Sequence, residues 1–164
     1  MPPFWRAAPR RWRRNSTSNS RVNRSAFVRQ TVYGRGDRRA RRGAFAGALV
    51  KLSAIVITRN EAANLPDCLA SLSFCDEIVV VDQASADDTV TIATKAGARV
   101  VERPHFTGFG RQKQAALDEA NGEWVFSIDA DERVPEALAR EIRAAIERGE
   151  HAGYRVNRRT FFLG

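Results

Sequence analysis

The chain has two cysteines, Cys68 and Cys75, among 164 residues, and no apolar run of the roughly 18–20 residues that a membrane span needs. The scarcity of cysteine argues against a disulfide framework, and a pair seven residues apart matches no zinc or redox spacing. Both thiols are expected to sit semi-buried in a reducing cytosol. The missing apolar run excludes a transmembrane helix and leaves only an interfacial membrane contact open. Acids are scarce in one stretch alone. Residues 1–50 hold thirteen arginines against one acid, Asp37, whereas residues 51–164 hold fourteen Lys or Arg against eighteen Asp or Glu. The isoelectric point near 10.6 therefore describes the leader and not the rest. Overall basicity is no argument for a nucleic-acid partner.

The leader mixes Arg, Ser, Asn and Gly with almost no periodic apolar pattern, as in NSTSNSRVNRS and GRGDRRARRG. Such a segment buries too little to offset chain entropy, so residues 1–49 are expected to be disordered. A basic arm for nucleic acid or anionic lipid, a transit peptide and a twin-arginine signal are its functional readings. The last is weak, because AFAGALV is broken by Lys51. Folded-looking sequence begins at VKLSAIVITRNE. The expectation is that Val50 is the true start and that residues 1–49 are an upstream extension absent from the native protein. Residues 50–164 then form the domain.

Within it, LSAIVIT (52–58) and EIVVVD (77–82) are continuous β-branched runs, which suit strands buried on both faces. ARVVE and EWVFSID read as two more, and GYRVNRRTFF as a fifth with alternating sides. Between them, Pro66 and Pro135 fit first turns of helices, and Gly97 and Gly149 fit helix ends. Ser85, with Asp88 three residues on, is expected to cap the second helix. RQKQAALDEANG reads as a third helix. Strands alternating with helices every 20–25 residues or so predict right-handed βαβ crossovers and an α/β, mostly parallel sheet covered on both faces. Ligands of such sheets bind outside the carboxyl ends of the strands. Three polar clusters fall there: Thr58-Arg59-Asn60-Glu61, Asp82-Gln83-Ala84-Ser85 and Asp129-Ala130-Asp131.

The third cluster raises the sharpest question. In VFSIDADE an apolar run stops at three carboxylates within four residues, Asp129, Asp131 and Glu132. Like charges this close repel unless a positive charge joins them. Residues two apart in extended chain face the same way, so Asp129 and Asp131 can address one site. Two hard oxygen donors suit Mg²⁺ or Mn²⁺, above all when a phosphate supplies further oxygens. A nucleotide diphosphate would be repelled by carboxylates alone; with a divalent ion between them attraction wins. The competing reading is that Asp131 and Glu132 merely favour the N-terminus of the helix at Pro135. Asp82 can accept hydrogen bonds from a base or ribose, or cap its loop. Glu61 can serve the same pocket or stay solvated. Lys113 and Arg111 can meet phosphate oxygens or form a charged helix face. His105 is assigned no role, and Trp124 and Phe126 are expected in the core.

SAIVITRNEAANLPDCLASL, EIVVVDQASADDT and GEWVFSIDADERV together resemble the N-terminal half of family 2 glycosyltransferases with the GT-A fold. GFGRQKQAAL and NRRTFFLG resemble, more narrowly, the lipopolysaccharide-core β-glucosyltransferase branch. The resemblance covers about residues 51–164. It implies that Thr58 and Glu61 line the nucleotide pocket and that Asp82 binds the uridine part. It further implies that Asp129 contacts the ribose or helps the metal, that Asp131 coordinates the metal, and that Lys113 approaches the donor diphosphate. The family's usual second motif is closer to DSGSTDGT, so Gln83 and Ala84 depart from it, while Asp82, Ser85 and Thr89 remain.

The implied reaction is inverting transfer of a hexose, glucose first, from a UDP-sugar to a lipid-linked saccharide such as the lipopolysaccharide core. The place is the cytoplasm, with peripheral contact at the inner face of the cytoplasmic membrane. The family takes its catalytic base from beyond the fifth strand. No residue here is named as base, and one is expected beyond Gly164. The chain thus reads as the donor-binding half of an enzyme. Its alternatives are an inactive UDP-binding fragment or a sugar nucleotidyltransferase. The latter's Gly-rich loop is missing, since TRNEAANLPD holds no glycine.

Overall fold

The computed structural model describes residues 5–7, 30–34, 52–105 and 108–158. The proposed start at Val50, most of the leader and the ending after Arg158 lie outside them. Seven strands form one sheet: β1 (Trp5–Ala7), β2 (Gln30–Gly34), β3 (Leu52–Thr58), β4 (Glu77–Asp82), β5 (Arg99–Glu102), β6 (Trp124–Asp129) and β7 (Gly153–Val156). Among the described residues four helices connect them: α1 (Leu65–Ser71), α2 (Thr89–Lys95), α3 (Phe109–Glu119) and α4 (Glu136–Arg148). The strand order is β1-β7-β2-β6-β3-β4-β5. The half that continues β6-β3-β4-β5 is parallel throughout. β2 pairs antiparallel with both β6 and β7, and β1 pairs antiparallel with β7.

The β-branched runs become the central strands because both of their faces are covered. Ala54, Val56, Val80, Phe126 and Ile128 pack with Leu65, Leu69 and Leu72 and with Leu138, Ile142 and Ile146 of α4. Their alternates Ile55, Val79, Val81 and Val125 pack with Ala116 of α3 and with its C-cap, Ala120. Strand alternation therefore puts α1, α2 and α4 on one face and α3 on the other. Pro66 lies in the first turn of α1, Pro135 caps α4, and Gly149 closes α4 in the left-handed region at φ 62°. Gly122 is required by proximity: a Cβ there would stand 2.7 Å from the backbone nitrogen of Ser53.

Three expectations change. Two segments of the leader, β1 and β2, are strands of the sheet. QTVYG has the β-branched and aromatic composition of a strand, and it pairs with β6 and β7, both distant in sequence. Val32 is buried to 1% exposure and joins the main core. Secondly, of the fifth expected strand the described residues show Gly153–Val156, with 157 and 158 out of the sheet; 159–162 lie outside the described residues. Thirdly, Ser85 does not cap α2, whose N-cap is Asp88 without a side-chain bond. The Ser85 hydroxyl instead donates to Asp82, three residues back, and accepts the Asn60 amide from the loop after β3.

Candidate functional site at the carboxyl ends of the parallel strands

Register aligns the carboxyl ends. Thr58 pairs with Asp82, Asp82 with Glu102, and Ile57 with Asp129. Asp82 is fully buried. Its Oδ1 accepts the hydroxyls of Thr58 (2.8 Å) and Ser85 (2.6 Å), and its Oδ2 accepts the Ser85 amide (2.8 Å). Three donors thus meet a charge that would otherwise be costly to bury. The same Ser85 hydroxyl accepts the Asn60 amide (2.8 Å), and Asn60 Oδ1 accepts the Ala86 amide (2.8 Å). Thr89 Oγ1 accepts the Glu61 amide at 2.8 Å, and Asp87 accepts that of Ala62 at 3.1 Å. The loops after β3 and β4 are therefore stitched into one wall. Asn60 and Ala84 hold positive φ, 54° and 47°, the kind of backbone cost that such a network sustains. Glu61 stands half-buried on this wall, its carboxylate accepting from Asn64 at 3.0 Å.

Asp129 belongs to the other face of the sheet. Lys113 of α3 reaches it, Nζ to Oδ1, at 2.9 Å. The chain then turns. The Glu132 amide donates to the Asp129 carbonyl (3.1 Å), and the Asp129 amide donates to Glu132 Oε2 (2.9 Å). Arg158 Nε lies 2.9 Å from Glu132 Oε1. Two of the three clustered carboxylates thus meet a cation of the chain itself. Asp131 is exposed and makes no hydrogen bond or ion pair among the described residues.

The sequence-predicted residues fall into two groups, Thr58–Asp82 with Glu61 on the stitched wall and Lys113–Asp129 with Asp131 on the acidic turn. Among the described residues no three of His, Cys, Asp or Glu could hold a metal by themselves. Burial pushes the thiols of Cys68 and Cys75 up to about 12. Asp129 ends β6 and Asp131 lies in the turn after it, so the alternation of an extended chain does not align the two; both offer hard carboxylate oxygens, and a bound ligand and water would have to complete the shell of a divalent ion.

Beside this rim lies a half-open pocket of about 290 Å³, lined by Arg103, Pro104 and His105 after β5 and by Arg111, Gln112 and Ala115 of α3. The Arg103 amide donates to the Asp82 carbonyl at 2.7 Å, which joins the pocket to the wall. Gln112 is 5% exposed, and its Nε2 has no hydrogen-bond partner among the described residues. A buried donor left unpaired costs roughly 1–3 kcal/mol, and a ligand acceptor would repay it. The polar groups offered here are chiefly donors. Sequence reasoning missed Gln112. Its signal was a polar residue on the apolar i, i+4, i+8 row it shares with Ala116 and Ala120. No helix among the described residues is long and apolar enough to cross a membrane.

Comparison with known proteins gives concordant matches. The family model described as glycosyl transferase family 2 matches residues 53–164. The lipopolysaccharide core biosynthesis glycosyltransferase LpsC of Rhizobium meliloti (strain 1021) is 41% identical over 121 residues, 69% of this chain and 44% of that protein. An uncharacterized glycosyltransferase of Rickettsia felis is 42% identical over 93 residues, 56% of this chain and 32% of that protein. Among solved structures, S. aureus TarS 1-349 in complex with UDP superposes with a TM-score of 0.54 at 30% identity, covering 60% of this chain and 32% of that one. The chain thus spans less than half the length of these relatives.

Proposed function

The chain belongs to glycosyl transferase family 2, and from that premise we propose that it carries the donor site of an inverting transferase that uses a UDP-hexose, glucose first among them. The acceptor is a lipid-linked saccharide such as the lipopolysaccharide core, met at the inner face of the cytoplasmic membrane. The observation that carries the reading is the pairing of an open carboxylate, Asp131, with a donor-lined pocket on the same rim. A nucleotide diphosphate has the complementary chemistry: many acceptors, and anionic oxygens able to share a divalent ion. The UDP held by TarS and the core-transferase name of LpsC favour the same substrates.

Each residue then has a task. Thr58 and Asp82 form the floor of the nucleotide pocket and hold the Ser85 loop in place, while Glu61 borders it. Arg111 and Gln112 offer donors to the acceptor-rich nucleotide. Lys113 keeps Asp129 oriented and places a positive charge near the departing diphosphate. Asp131 and Asp129 are the residues that would hold Mg²⁺ or Mn²⁺, which when bound supplies charge neutralisation for the leaving group. In the displacement, the acceptor hydroxyl oxygen attacks the anomeric carbon on the face opposite the diphosphate. The bond to the diphosphate oxygen breaks, UDP keeps its electron pair, and a base takes the hydroxyl proton. No described residue is assigned as that base.

Calorimetry against a panel of nucleoside diphosphate sugars in Mn²⁺ tests the donor class. UDP-glucose or another UDP-hexose should bind at least about tenfold more tightly than GDP- or ADP-sugars, a difference of about 1.4 kcal/mol. A preference for purine nucleotides would overturn the assignment.

A further inference from the structure

We infer that Glu132, braced by Arg158, is a positioning residue for the acidic turn and tunes its hold on a divalent ion; this rests on the donor-site reading above. Glu132 is not an acid of the following helix. α4 starts at Glu136 with Pro135 as its cap, and no side-chain bond closes its N-terminus. Instead Glu132 turns back. Its amide and its carboxylate both bond the backbone of Asp129, which closes residues 129–132 into a ring of two hydrogen bonds. It does so at 7% exposure. A carboxylate that deep is expensive without a partner, and Arg158, just past β7, supplies one at 2.9 Å.

The arrangement has two consequences. The turn cannot relax outward when a ligand pulls on Asp131, because its first residue is pinned through the backbone. Three carboxylates also meet two cations, Lys113 on Asp129 and Arg158 on Glu132, which leaves the remaining negative charge on the exposed Asp131. Partners that orient ligating carboxylates in this way typically change metal affinity about 10–100-fold when removed.

The test compares Glu132→Ala, Glu132→Gln and Arg158→Ala in the whole chain. Two quantities are read: UDP affinity in Mn²⁺ against chelator, and hydrogen exchange at the Asp129 amide. Glu132→Ala should weaken Mn²⁺-dependent UDP binding about tenfold or more and expose the Asp129 amide. Glu132→Gln keeps an oxygen for that amide, so it should retain protection and most of the affinity. Arg158→Ala should fall between them. A Glu132→Ala protein that only melts earlier, with the metal-dependent affinity of its folded form unchanged, would refute the positioning role. So would equal affinities in the Gln and Ala variants. Wild-type protein that binds no UDP at all would instead overturn the donor-site reading. In that case the brace still stands or falls on the Asp129 amide, which needs no ligand.

Discussion

Removing the Asp82 carboxylate should loosen the wall of the nucleotide pocket by an amount that its bonds allow to be worked out. Asp82→Ala strands three donors: the Thr58 hydroxyl, the Ser85 hydroxyl and the Ser85 amide. Thr58 is buried, so its hydroxyl loses a partner where water cannot replace it, at about 1–3 kcal/mol. Ser85 is half-buried and can recruit water, so its two donors lose only the net worth of a hydrogen bond, about 0.5–1.5 kcal/mol each. Relief of the carboxylate's own desolvation offsets part of the total, which leaves an expected loss of about 3 kcal/mol. Asp82→Asn keeps one oxygen for the two hydroxyls and should cost about 1 kcal/mol. Urea unfolding measures both. With slopes of about 1–3 kcal/mol per molar, Asp82→Ala should lower the midpoint by about 1–3 M at constant slope. Amide exchange at Asn60 and Ala86, which bond across the two loops, should rise in step. A loss below about 1 kcal/mol for Asp82→Ala, or equal losses for Ala and Asn, would refute the claim that this carboxylate organises the wall.

Two further outcomes follow from other parts of the sheet. Val32→Ala removes two methyl groups from a site at 1% exposure and should destabilise by about 1–3 kcal/mol; an unchanged melting temperature would mean that β2 does not occupy the sheet. Stability should also fall in acid. Burial works against the Glu77 anion, but hydrogen bonds from Ser53 and Asn121 and the charge of Arg99 outweigh it and hold the carboxyl below its ordinary 4.5. A depressed group stabilises the fold above its unfolded value and loses that contribution as pH drops through the folded one. Melting temperature should therefore decline below about pH 4.5, and Glu77→Gln should flatten that decline; parallel curves for the two proteins would argue against it.

Much of this was legible in the sequence, for identifiable reasons. LSAIVIT and EIVVVD announce themselves as central strands because burial on both faces leaves no room for polar alternation. Pro66, Pro135 and Gly149 mark helix ends through backbone chemistry that tertiary contacts seldom override. The clusters at the strand ends follow from the topology those elements dictate. What escaped depends on backward-reaching and long-range side-chain bonds that no forward local pattern announces. Ser85 looked like a local cap, yet its hydroxyl bonds Asp82 and bridges to Asn60. Glu132 looked like a helix-start acid, yet Arg158 and the Asp129 amide claim it. QTVYG was hidden among arginines, because its strand character appears only when β6 and β7 offer edges to pair with. The positive charge missing from VFSIDADE is supplied in part by Lys113 and Arg158, which leaves Asp131 as the place where a further one would act.

Asp131 is therefore the residue whose removal should separate metal-dependent from metal-independent UDP binding. UDP binding should be measured by calorimetry in Mn²⁺ and in chelator, for the wild-type chain and for Asp131→Ala. Asp131 is exposed and has no partner among the described residues, so its loss should leave stability within about 0.5 kcal/mol. Binding should depend on the metal in the wild type and lose that dependence in the variant while the melting temperature holds. Equal UDP affinity with and without the metal, in a folded wild-type protein, would contradict this.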